Sequence, residues 1–332
     1  MLSYAEANGD LYWCSAMEFR RVRGADYADT PGWIDATGTP AIEAYPSGGL
    51  DAGTYRVAMT WFDAEGRESG ALGIAVTDVQ AGGGVRVFNI PTWPESAVSA
   101  RLYMSPPGGE ELYAAANIAP GATQILLDAS IQRDGKALET LWRRAMPPCD
   151  LLRFWAGRLI GFAGNLLVWS DPLRFGLTTH DNYMRFGLQG TLLEPVGDGG
   201  QGSGLWIADH KNTYWIDGDN PKNWRRTIKY DHPAVFGTSL RVKSSDVGLE
   251  GDELVAVWMS KNGVFMAGGP GGSLTPLTQG RLALPQGESG AAMFREFQGV
   301  RQLVMSYTND GANHFSIGDR ATATVTRATT PV

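Results

Sequence analysis

Apolar runs broken by short polar turns recur along this chain. RLIGFAGNLLVWSDP (158–172), GLWIADHKNTYWIDGDNP (204–221), LVAVWMSKNGVFMAGGPGG (254–272) and RQLVMSYTNDGANHFSIGD (301–319) share one format. Each is an apolar run, a turn of Gly, Asn, Lys or Asp, an aromatic-rich run and an acidic or Gly-rich turn. Short apolar runs bounded by such turn formers predict β-hairpins. The turns centre near 164, 211, 262 and 311, a spacing of roughly 50 residues, within the range of propeller blades. A further copy, NGDLYWCSAMEFRRV (8–22), precedes the copy at 158–172 by about 155 residues, or roughly three periods. With one period subtracted, about 105 residues remain, the size of one inserted domain.

The segment 37–130 is patterned differently. GLDAGTYRVAMTWFDAEGRESG (49–70) alternates through Tyr55, Val57, Met59 and Trp61 and closes in a turn at Asp63–Gly66. GGGVRVFNIP (82–91), SARLYMSPPGGEELYAAANI (99–118) and GATQILLDAS (121–130) supply further strands, with a hairpin tip at Pro106–Gly109. Six or seven short strands in about 95 residues predict a β-sandwich of the immunoglobulin or fibronectin type III class. With no Cys pair across it, the fibronectin-like form is preferred. DGKALETLWRRAM (134–146) spaces Leu138, Leu141 and Trp142 helically, so 131–150 is expected to be a helical linker ended by Pro147 and Pro148. The expectation is therefore an all-β chain: a first blade over 1–36, a sandwich over 37–130, the linker, and the remaining blades over 151–332, about five blades in all. The alternating ATATVTRATT (321–330) is expected to be an outer strand completing the first blade, since closure removes sheet edges.

Composition supports many short strands. The 332 residues include 43 Gly and 11 Trp; Gly serves tight turns and Trp favours pleated, half-buried surfaces. The start has neither a basic n-region nor an apolar h-region, so no secretory leader is expected and an extracellular sensor is disfavoured. No run has the length a membrane helix requires. Cys14 and Cys149 lack zinc spacing and form no disulfide framework, and are expected to be free, partly buried thiols. A net charge of -7 argues against a nucleic-acid clamp. It suits a channel that lets DNA slide, because affinity for DNA comes mainly from cationic contacts.

Candidate chemistry is sparse. His180, His210, His232 and His314 have no partner at metal-ligand spacing and read as turn histidines. Asp171, Asp209, Asp217, Asp219 and Asp231 invite a glycosidase reading, which needs two opposed carboxylates. Turn chemistry explains them more simply. Trp169-Ser170-Asp171-Pro172 and Asp219-Asn220-Pro221 are recurrent blade turns in which Asp caps its own backbone. The Gly-rich stretches 197–204 and 268–275 lack a P-loop ending, and no Gly-x-Ser-x-Gly elbow occurs. No catalytic residue, metal, cofactor or small-molecule ligand is expected. Basic pairs occur at Arg20-Arg21, Arg143-Arg144 and Arg225-Arg226; Trp224, Arg225 and Arg226 together form a candidate partner contact. Trp33, Trp93 and Trp224 form a candidate platform for sugars.

RLIGFAGNLLVWSDPLRFG, LWIADHKNTYWIDGDNPKNWRR and VAVWMSKNGVFMAGGPGGSLTPLTQGRLALP resemble segments of propeller-containing virion proteins of tailed bacteriophages. DAGTYRVAMTWFDAEGRESGA with SARLYMSPPGGEELY is similar to the fibronectin-like insertion of that family. The nearest analogy is the nozzle protein of short-tailed phages. The resemblance implies a structural protein, not an enzyme, in a homo-oligomeric ring, usually sixfold, that continues the DNA channel and gates ejection. Its implied partners are the adaptor and portal side, fibres or a needle, and passing double-stranded DNA. Its implied location is the virion tail, assembled in the host cytoplasm. The alternative is a glycan-binding fibre or tip module.

Overall fold

The computed structural model describes residues 2–23, 28–130, 135–197, 202–280, 282 and 284–308, and the backbone of 320–326. The chain is all-β, and no α-helix occurs among the described residues. It divides into two compact units: Met1–Glu18 with Pro148–Trp169 and Tyr183–Val332, and Phe19–Pro147 with Ser170–Asn182.

β1 (Ser3–Ala7) and β2 (Asp10–Cys14) form a hairpin in the first unit. Its loop, Asn8-Gly9, has φ of 54° and 80°, the left-handed pair that a two-residue turn of the favoured twist demands. The second unit opens with the pair β3 (Phe19–Arg23) and β4 (Ala28–Pro31). Seven strands follow: β5 (Ala41–Leu50), β6 (Gly53–Asp63), β7 (Ala75–Val79), β8 (Gly83–Phe88), β9 (Ala97–Met104), β10 (Tyr113–Ile118) and β11 (Gln124–Leu127). They make two antiparallel sheets, ordered β10-β9-β6-β7 and β11-β8-β5. Tyr55, Val57, Met59 and Trp61 of β6 alternate onto one face and meet Val85 and Val87 of β8, so one apolar core joins both sheets.

The expected helix at 134–146 is absent over its described part. Ala137 bridges to Tyr113, Leu141 bridges to Ala71, and β12 (Arg143–Ala145) is a strand. The amides of Leu138 and Trp142 donate to Leu112 and Ala71 at 2.8 Å each, so sheet neighbours take the hydrogen bonds a helix would use internally. Leu138 and Leu141 pack beside Ala58, Ala71, Tyr103 and Leu112. A few apolar residues at helical spacing serve equally well as an extended cover for a sheet.

The first unit resumes with β13 (Leu151–Trp155), β14 (Arg158–Ala163) and β15 (Leu166–Trp169); β16 (Leu177–Thr179) pairs with β12 in the second unit. β17 (Tyr183–Arg185) completes the antiparallel order β13-β14-β15-β17. Next come β18 (Gly190–Val196), β19 (Gly204–Asp209), β20 (Thr213–Asp217) and β21 (Arg225–Tyr230), paired in sequence order. β22 (Leu240–Lys243), β23 (Leu254–Met259), β24 (Phe265–Gly268) and β25 (Leu274–Pro276) repeat the arrangement. β26 (Ser289–Phe297), β27 (Val300–Thr308) and β28 (Arg320–Thr326) form a three-stranded sheet. The C-terminal strand therefore extends β27, rather than the first hairpin as the sequence suggested. The ladder runs from Gln302–Thr326 to Thr308–Arg320, and its seven backbone pairs favour the partner next in sequence.

Alternate residues of the middle sheets serve two cores. Leu193, Leu205 and Ile207 join Ile160, Phe162 and Leu167, whereas Leu192, Trp206 and Ala208 join Trp258 and Met266. Val255, Val257 and Met259 turn the other way, toward Leu303 and Met305. Both faces of these sheets are covered, which explains why β18 and β19 read as uninterrupted buried strands.

Candidate functional site

A cavity of about 700 Å³ opens in the first unit where strand ends converge. Asp150 stands just before β13 and Gln189 just before β18; His210 lies in the β19–β20 turn. Phe236 precedes β22, Ser289 opens β26, and Ser306, Tyr307 and Thr308 end β27. Backbone bonds hold these ends together: Gly290 N–H donates to Phe236 O and Glu288 N–H to Thr308 O, both at 2.8 Å. The Gln189 amide donates to the Asp150 carboxylate at 3.0 Å, and the Ser289 and Thr308 hydroxyls are 3.2 Å apart. Gly190 is required in this wall because the Phe162 ring lies 2.3 Å from where a Cβ would stand. Tyr307 is buried, and its hydroxyl has no hydrogen-bond partner among the described residues. Burial pushes its pKa above the ordinary phenol value.

The cavity mixes one carboxylate, an amide, an imidazole, hydroxyls and aromatic carbon. A single carboxylate beside donors and apolar rings suits a neutral, hydroxyl-bearing ligand. Among its described lining residues there is no opposed carboxylate pair for glycoside hydrolysis. Among the described residues, no group of three or more His, Cys, Asp or Glu could hold a metal. No helix there is long and apolar enough to cross a membrane.

The blade-turn residues have varied duties. The Trp169 ring meets Trp224 edge-on at 5.0 Å. Ser170 is buried and donates to Asp171 O at 3.1 Å, while Pro172 is exposed. Asp171 does not cap its own backbone through its carboxylate. It pairs with Arg143 and accepts from the Asn182 amide at 3.1 Å. A guanidinium competes better for a carboxylate than a neutral peptide N–H. At the other turn Asp219 is exposed, and Asn220 is the cap, accepting from Lys222 N–H at 3.1 Å ahead of the short 3-10 turn that Pro221 opens. At the β19–β20 turn Asp209 does cap its hairpin, accepting from the amides of Lys211 and Asn212 at 2.9 Å each and from the Tyr214 hydroxyl at 3.0 Å.

The sugar platform is corrected. Trp224 is buried and donates to Gly218 O at 3.0 Å. The half-buried Trp33 donates to Glu68 O at 3.1 Å, with Arg67 over its ring. Trp93, also half-buried, stacks 4.7 Å from Trp61. These rings satisfy their indole N–H groups or cover apolar neighbours. Trp142 is the exposed one, at 51%. Arg225 and Arg226 remain exposed on β21. Arg226 lies over Phe186 at 5.0 Å and donates to Arg185 O at 3.0 Å. Arg225 borders a shallow depression of about 460 Å³ with Lys222, Asn223 and Asp217.

His180 lies beside Asp181, and His232 beside Asp231 and Tyr230. His314 and positions 198–201 of the first Gly-rich stretch lie outside the described residues. In the second Gly-rich stretch, Pro270–Gly272 forms only a short 3-10 turn.

Sequence reading missed a buried ion pair. Glu194 of β18 is 1% exposed. It accepts from Arg153 of β13 at 2.5 and 3.1 Å and from Ser239 at 2.8 Å; Arg241 of β22 lies 3.9 Å away. Burial works to lower the Arg153 pKa, but the Glu194 charge and hydrogen bonds outweigh it and raise the value. The available signal was one Glu inside the apolar run TLLEPV (191–196). In the second unit, Glu65 gathers Arg21, Arg23 and Arg67, and Glu68 accepts from Thr60 at 2.9 Å and pairs with Lys136 at 2.8 Å.

No family model matches the chain, and no curated protein matches it.

Proposed function

We propose that this chain is a structural component of a bacteriophage tail, of nozzle or hub type, acting in a ring around the DNA channel. In this reading the first unit is a propeller of about five blades, and 37–130 is a fibronectin-III-like insertion. One observation carries the reading. The first strands of successive sheets are neighbours: β1 lies by β13, β13 by β18, β18 by β22 and β22 by β26. Radial repetition requires that arrangement around an axis, and the Arg153–Glu194 pair joins two of these strands. The order β10-β9-β6-β7 corresponds to the G-F-C-C′ face of an immunoglobulin-class sandwich, which supports the second part.

The mechanism would be mechanical. Rigid units pack side by side as a homo-oligomer, sixfold by analogy, between the adaptor or portal side and fibres or a needle. The net charge of -7 lets double-stranded DNA pass without sequence-specific adhesion. The protein would be assembled in the host cytoplasm and reside in the virion. Mass spectrometry and cryo-electron microscopy of purified particles test this: the chain is expected in a ring on the tail axis, and its absence from particles overturns the reading.

The cavity at Asp150 favours a second reading, a glycan-binding tail module that uses this pocket instead of a tryptophan platform. A glycan array should show binding that Asp150→Ala reduces at least about tenfold, the loss expected for one charge-assisted hydrogen bond. An array without signal removes this reading.

A further inference from the structure

Cys14 and Cys149 are the chain's two cysteines, and both are fully buried in the first unit. They stand on either side of the whole segment Phe19–Pro147 of the second unit. Three links bring them to one place. Cys14 is the cross-strand partner of Ser3. The Ser3 hydroxyl oxygen accepts from Leu152 N–H at 2.8 Å. Leu152 is paired with Gly161, and the Cys149 sulfur lies 2.6 Å from where a Gly161 Cβ would stand. Gly161 thus leaves room for the Cys149 side chain beside the Ser3–Leu152 contact. There Cys14 is the neighbour that does most to raise the Cys149 thiol pKa.

We propose that Cys14 and Cys149 form an oxidative modification site, a buried dithiol that closes to an intramolecular disulfide on meeting a low-molecular-weight disulfide. The chemistry balances without a further reagent. One cysteine thiolate attacks a sulfur of the oxidant, forming a mixed disulfide and releasing one small thiolate. The second thiolate attacks the protein sulfur of that mixed disulfide, forming the Cys14–Cys149 bond and releasing the second small thiolate. Two protons pass from the cysteines to the released thiolates, and two electrons pass to the oxidant.

The same geometry slows reaction of the pair while it is closed. The Cys14 side chain, and then burial, push the Cys149 thiol well above its ordinary pKa, so little thiolate forms. Local opening of β1 and β2 supplies access, and oxidation follows the opening rate. Once formed, the bond ties β2 to the entry of β13 and closes a long loop, where a crosslink constrains the unfolded chain most. The occasion for oxidation rests on the virion reading, in which a particle leaves a reducing cytoplasm. The chemistry itself does not.

The test uses the full chain, purified reduced and then incubated with oxidised glutathione in sub-denaturing urea. After acid quenching, denaturation and maleimide labelling, mass spectrometry counts the free thiols. The expected result is two labels before oxidation and none after, with one proteolytic peptide pair linking Cys14 to Cys149. Two labels after oxidation, or retained glutathione on both cysteines, overturns the proposal. Cys14→Ser and Cys149→Ser should each stop at a single glutathione adduct or a single free thiol. If either variant fails to fold, the wild-type peptide map decides alone. The oxidised wild type should melt roughly 5 °C or more above the reduced form; an unchanged or lower midpoint overturns the claim that the native geometry accommodates the bond. None of these readouts depends on the tail reading, so the two can fail separately.

Discussion

The two units are both antiparallel β structure, yet they bury their side chains by different rules. In the second unit, two sheets share one core, and β8 shows the result: Val85 and Val87 face inward while Arg86 faces out to pair with Glu43. In the first unit, successive four-stranded sheets share cores on both faces, and every residue of β18 and β19 is buried. A two-sheet sandwich tolerates charge on alternate positions. A sheet covered twice tolerates a charge only when a counter-charge or several hydrogen bonds satisfy it, as for Glu194 and Asp209.

The largest effect should come from removing a twice-enclosed aromatic. Trp206 touches Trp215 and Trp258 and donates to Gly269 O at 3.0 Å. Trp206→Ala should cost about 3–5 kcal/mol in denaturant unfolding. Hydrogen exchange should accelerate in β18–β24 while β6 and β9 keep their protection. Trp61→Ala should do the reverse, since Trp61 belongs to the sandwich core. Equal loosening of both units by either variant would break the comparison.

Glu194→Gln comes next. It leaves the half-buried Arg153 without its counter-charge, and a loss of about 3 kcal/mol is expected, measured by the same unfolding experiment. A cost under about 0.5 kcal/mol, the level of a surface ion pair, would show that water reaches the pair.

Acid should distinguish the units through Glu65. Burial acts to raise its pKa, but the hydrogen bond and charge of Arg21, with Arg67 and Arg23, outweigh it and hold the value below the ordinary 4.5. The sign follows: this stabilisation is complete above about pH 4.5 and is lost as pH falls through the lower folded value. Thermal melts across that window should show the second unit weakening, with Glu65→Gln flattening the dependence. The smallest effect is expected at Trp142, which is exposed with φ of 61°. Trp142→Gly should stabilise by about 1 kcal/mol, because glycine adopts that backbone without strain.

Much of this contrast was legible in the chain. The runs around 164, 211 and 262 are the hairpins β14–β15, β19–β20 and β23–β24, because aromatic and β-branched runs split by Gly, Asn or Asp have few alternatives. Residues 134–146 were not legible, since Leu138 and Leu141 meet apolar partners equally well from a helix or an extended strip. Trp224 and Asp171 misled for a related reason. Residue type announces what a side chain is capable of, but its partners, Trp169 and Arg143, stand 55 and 28 positions away.

Local order was therefore written in the sequence itself: the all-β character, the hairpin positions, and turns such as Asn8-Gly9 follow from propensity and backbone sterics acting over a few residues. Tertiary structure alone decided which strand ends enclose the Asp150 cavity, that Glu194 finds Arg153, and that Cys14 lies against Cys149. Those are contacts between distant segments, set by how sheets stack, and a neighbourhood of a few residues carries no record of them.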